Sequence, residues 1–204
     1  YNTWYGKFHL EMHRWHGVHF VLWGRPELLE RSLDWSRTAE ANAANIAQRQ
    51  GFKGVRWMKM TDPSPIEAPS KVGSFLIWQQ PHIIYMAELL FRHQKDSSVL
   101  ADYSDLVFKT AEFMADFADY DGMGDRYILQ GAIPAQETLR ASETVNSPFE
   151  LSYWHYALSV AQQWRLRLGL PKNMEWEIVL DKLSPLAHKD GLYLAAETAL
   201  DTYI

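Results

Sequence analysis

The chain has 204 residues, a mass of 23.7 kDa and 47% apolar residues, enough for one domain with a sizeable core, which excludes disorder as its main state. Its 20 Lys and Arg stand against 25 Asp and Glu, a formal charge of −5 with no basic concentration, so a phosphate backbone finds no footprint and nucleic acid is not an expected partner. No apolar run approaches the roughly 20 residues of a membrane span, and zero Cys removes disulfides, thiolate zinc sites and cysteine nucleophiles while leaving the compartment open.

In chain order, a helix is predicted from about Glu11 to Trp23, followed by one opened by Pro26-Glu27 and closed before Gly51, with Leu28, Leu29, Leu33 and an alanine-rich stretch between. Pro81 opens the next, with Ile83, Ile84, Ala87, Leu90 and Phe91 on one face, and Asp96-Ser97-Ser98 supplies a capped turn into a fourth. In that fourth helix Leu100, Tyr103, Val107, Met114 and Phe117 trace one buried stripe. From Ser147-Pro148, the residues Phe149, Tyr153, Ala157, Val160, Ala161, Trp164 and Leu168 trace another, and Pro171 leads to a shorter helix over Met174 to Leu183. Short connections alternate with long ones over 51 to 80 and 120 to 147 and from Ser184 onward, which predicts an all-α array of antiparallel hairpins with the long loops gathered at one functional end. Tyr127-Ile128-Leu129 is a candidate for a small hairpin within a loop. A solenoid is disfavoured because no fixed sequence period appears.

Nine Trp, ten Tyr and nine Phe make the chain 14% aromatic, and several Trp sit among His, Gln and Pro. Four His and one Glu crowd Lys7 to His19, with His9 and His13 spaced to share a helix face. Zinc held there with His16 is one reading, but no His-Glu-x-x-His pattern is present and lining of a polar pocket is the simpler expectation, with no metal and no cofactor. Trp57 with Lys59, and Trp78 with Gln79 and Gln80, combine ring faces with hydroxyl partners at the long-loop end, the mixture that a pyranose requires. Core packing is the expectation for Trp23, Trp35 and Trp164. In the second long loop Glu137 follows the apolar turn Ile133-Pro134, where partial burial would raise its pKa for protonating a leaving group. Glu143 reads as solvated, and Glu150 as a first-turn helix acid.

Lys7-Phe8-His9-Leu10-Glu11-Met12-His13-Arg14-Trp15 resembles the Asn-x-Asn-x-Gln-Met-Asn-Tyr-Trp segment of glycoside hydrolase family 95, and Pro134-Ala135-Gln136-Glu137 lies where that family and family 65 carry an acidic Glu motif. Both are six-hairpin glycosidases. The resemblance implies an (α/α)6 barrel of which residues 1 to 204 supply about half, a partial catalytic domain of about three hairpins. It implies an inverting glycosidase with Glu137 as general acid and an oligosaccharide or glycoside as substrate, with phosphorolysis or a non-catalytic carbohydrate-binding scaffold as alternatives. Substrate binding then falls to Lys7, His9, His13, Trp57, Lys59, Trp78, Gln79 and Gln80. Lys7 and His9 stand in place of the paired Asn residues that assist the nucleophilic water in family 95, the inverting α-L-fucosidases, a departure that argues against fucose specificity. The catalytic base is expected beyond the third hairpin, so the rest of the polypeptide is itself an expected partner; the residues leave localisation open, and the resemblance alone favours a periplasmic or extracellular setting over a cytoplasmic one.

Overall fold

A computed structural model describes residues 6–134 and 139–203. Among them are six α-helices, α1 (Leu10–Leu22), α2 (Pro26–Arg49), α3 (His82–Gln94), α4 (Ser97–Phe117), α5 (Pro148–Arg167) and α6 (Met174–Lys182). Three two-stranded antiparallel ribbons accompany them: β1 (Phe8–His9) with β2 (Met60–Thr61), β3 (Asp119–Asp121) with β4 (Arg126–Ile128), and β5 (His188–Lys189) with β6 (Leu192–Tyr193). The second ribbon includes the predicted loop hairpin; the other two carry no sequence signal long enough to announce them.

Local chemistry sets the helix ends where the sequence placed them. Pro26 and Pro148 occupy first-turn positions whose missing N–H costs nothing. Asp96 accepts from Ser98 N at 2.9 Å, and Asn173 caps α6 by accepting from Glu175 and Trp176 N. Successive helices pair as α1/α2, α3/α4 and α5/α6, while α3 also packs on α1 and α5, and α4 on α2 and α6. The result is one layer of α1, α3 and α5 backed by a second layer of α2, α4 and α6.

The core lies between these layers and includes Leu29, Leu33, Ile84, Leu90, Tyr103, Val107, Phe113, Trp154 and Trp164. Glu88 is buried between α3 and α5, accepting from Trp164 Nε1 at 2.7 Å, Arg167 at 2.6 Å and Arg92 at 2.6 Å. Burial alone would raise its pKa, but hydrogen bonds from Arg167, Arg92 and Trp164 prevail and hold the carboxyl below its ordinary value. Gly54, at φ 67°, lets the first long loop lie on α4, because a Cβ there would stand 2.2 Å from Lys109 O. Trp23 departs from its expected core position: it follows the last turn of α1, is exposed, and meets the His19 ring in a T-shaped contact at 4.8 Å.

The long connections are bonded to one another. Ile133 N donates to Phe75 O at 2.8 Å, Ser184 N to Tyr127 O at 3.0 Å and Glu197 N to Val145 O at 2.9 Å, while Arg126 grips Glu197 bidentately at 3.0 and 2.8 Å. They gather beside the first turns of α1, α3 and α5, as the alternation of loop lengths predicts.

Candidate functional site at the loop end

Pairing of β1 with β2 sets His9 opposite Met60, and Leu10 N donates to Lys59 O at 2.9 Å, which draws the histidine-rich segment onto the first long loop. Glu11, buried in the first turn of α1, consequently has Lys59 Nζ at 3.5 Å from one carboxylate oxygen and His9 Nδ1 at 3.5 Å from the other. His82, the first residue of α3, spans to both neighbouring helices: its Nε2 lies 3.0 Å from Glu11 O and its Nδ1 2.9 Å from the Tyr153 hydroxyl. A backbone carbonyl only accepts, so Nε2 carries the proton and Nδ1 accepts from Tyr153. Burial pushes the Tyr153 hydroxyl pKa upward, which keeps that donor protonated.

His13 points to the other side, with Nε2 2.7 Å from Ser32 Oγ, which itself donates to Leu29 O. His9 and His13 therefore engage different partners and do not act as the facing pair that the spacing suggested, because His9 precedes the helix as part of β1. Burial pushes His82 down to about 3, with Arg14 and His13 nearby adding to it against the raising effect of the Glu11 carbonyl. His13 falls to about 4, chiefly by burial and then by His16. Both are neutral at pH 7. The unfolded chain takes up these protons near pH 6.5, so stability is full above that value and declines as pH falls toward 4. Unfolding free energy followed by urea titration is expected to drop by roughly 2 to 3 kcal/mol per pH unit between pH 6 and 5 from these two imidazoles together. His13→Gln should remove about half that slope; an unchanged slope would reject the assignment.

The aromatic candidates divide. Trp78 is 8% exposed, edges onto His82 at 5.5 Å and Phe149 at 6.4 Å, and its Nε1 has no hydrogen-bond partner among the described residues. Trp57 is 1% exposed in the main core, with Nε1 donating to Thr110 Oγ1 at 2.9 Å, so it corrects the expectation of a groove residue. Gln80 clamps the Trp57 backbone, accepting from its N–H at 2.7 Å and donating to its carbonyl at 2.8 Å. Gln79 donates to Leu76 O at 3.1 Å and Trp57 O at 3.3 Å. Both glutamines are buried supports of the loop. Lys7 lies partly buried just before β1. Glu137 lies outside the described residues. Glu143 is exposed beside Arg140 and Glu150 is buried in the first turn of α5.

Beside this cluster opens a groove of about 780 Å³ on the α1/α3/α5 layer, lined by Arg14, Tyr85, Phe149, Tyr153 and Tyr156, by Pro134, Ser147 and Ser152, and by residues 193–195. Sequence reading missed these residues. Phe149 and Tyr153 fall on the helical stripe that periodicity marks as buried, yet Phe149 is exposed on the groove wall.

No family model matches the sequence, and no curated protein matches it. Solved structures do. A structure described as a candidate kojibiose phosphorylase from human microbiome superposes on 94% of this chain with a TM-score of 0.79 at 11% identity. At that identity the likeness shows the fold: antiparallel hairpins forming part of a helical barrel. The chain spans 30% of that neighbour's length. Among the described residues no helix is long and apolar enough to cross a membrane.

Proposed function

We propose that the chain contributes about three hairpins to the catalytic (α/α)6 domain of an enzyme that cleaves glycosidic bonds with inversion. The observation that carries this is the cluster of Glu11, Lys59 and His9, joined through His82 to the Tyr153 wall of an aromatic groove at the loop end, in a fold shared with a candidate kojibiose phosphorylase. Ring faces suit the C–H faces of a pyranose, and the imidazole, ammonium and carboxylate groups suit its hydroxyl rim. Lys7, His9, Lys59 and Trp78 are the substrate-binding residues of this reading, with His13 behind them and Trp57, Gln79 and Gln80 holding the loop. Glu137 protonates the glycosidic oxygen as its bond to the anomeric carbon breaks. A water oxygen bonds to that carbon from the opposite face while a second carboxylate, contributed from outside this chain, takes the water's proton at a separation of roughly 6.5 to 9.5 Å.

Phosphate can replace water as the attacking group, and the description of the structural neighbour favours that second reading. The test uses the complete protein and a panel of disaccharides with and without inorganic phosphate. Inverted reducing sugar released in buffer alone supports hydrolysis, whereas a sugar 1-phosphate formed only with phosphate supports phosphorolysis. No turnover of any disaccharide under either condition would reject both.

A further inference from the structure

Arg14 stands one turn after Glu11 on α1 and lines the groove with its guanidinium centred 4.2 Å over the Tyr85 ring and 5.3 Å from that of Tyr153. Its Nε is buried with no hydrogen-bond partner among the described residues, and no ion pair joins it to a described carboxylate. Arg14 is half-buried, with its Nε enclosed and unmatched, and stacking uses the faces of the guanidinium while leaving its planar edge of N–H groups for an anion. That edge fits a carboxylate or phosphate bidentately. Around it the groove supplies the stacked faces of Tyr153 and Tyr156, with centroids 6.1 Å apart at 29°, and the hydroxyl residues Ser147 and Ser152.

We infer that this groove binds a sugar bearing an oxyanion, with Arg14 holding the charged group and the tyrosines the ring. The inference rests on the carbohydrate reading above and adds the substrate class, an acidic sugar. Binding is measured by calorimetry on the complete protein with glucuronate, glucose 6-phosphate, glucose and inorganic phosphate, so that carboxylate and phosphate sources are read separately. Either acidic sugar should bind about tenfold or more tighter than glucose, the scale of one charge-assisted hydrogen-bond pair. Arg14→Met, which keeps the aliphatic stem over the rings, should erase that preference, so that the acidic sugars bind no tighter than glucose. If the variant fails to fold, modification of wild-type Arg14 by phenylglyoxal is followed by peptide mapping, and protection by the acidic sugar but not by glucose is expected. Equal binding of glucose and both acids, free phosphate binding as tightly as the acidic sugars, or no protection of Arg14 would overturn the inference. Because equilibrium binding requires no turnover, loss of the enzymatic reading would appear separately, as absence of disaccharide cleavage.

Discussion

Under the proposed function, Glu137→Gln in the complete protein is expected to lower kcat on a glycoside with a poor leaving group by roughly 10²- to 10⁴-fold, the range that general acid catalysis supplies. An amide keeps the shape of the carboxyl group but cannot deliver a proton, so the leaving alkoxide must depart unprotonated. A glycoside with an activated aryl group leaves readily as its own anion and should lose far less. That contrast distinguishes a proton donor from a residue that only binds sugar, whose removal slows both substrates alike. The competing carboxylates give the control. Glu143 is exposed beside Arg140, and Glu150 sits buried at the start of α5. Near-normal activity in Glu137→Gln together with abolished activity in Glu150→Gln would reassign the acid.

The second large effect is on stability. Trp57→Ala is expected to cost about 3 to 5 kcal/mol, the usual consequence of deleting a fully buried aromatic side chain. The indole fills core space beneath the first long loop, and its N–H partner Thr110 is itself tied to Leu106 O at 2.7 Å. Domains of this kind are stable by only about 5 to 15 kcal/mol, so a shift of that size is plain in a urea titration. Trp78→Ala, beside His82 and the groove, should cost less stability and weaken sugar binding by the complete protein more. If instead Trp57→Ala melts like the parent and loses sugar, the indole belongs to the binding site after all.

The six helices and their hairpin pairing were legible from the amino-acid sequence because their signals act over a few residues. Pro26 and Pro148 lack an N–H that a first turn does not need, the Asp96 carboxylate reaches two residues ahead, and Gly169 adopts a φ of 72° where α5 ends. Loop lengths follow from those boundaries, and with them the end of the array at which chemistry could gather. Which aromatic ring is core and which is wall was decided only by the tertiary structure. Helix α5 turns Trp164 into the core and Phe149, Tyr153 and Tyr156 toward the groove, so periodicity marks Phe149, Tyr153 and Trp164 alike as one stripe, while only the neighbouring elements determine that Trp164 is enclosed and Phe149 exposed. Trp57 is held by Thr110 of α4, 53 positions away, and His82 is neutral through burial and fixed in tautomer by partners 71 residues distant on either side. Burial and hydrogen bonding of that kind are properties of packed neighbours, and a local pattern carries no record of which distant element will arrive to make them.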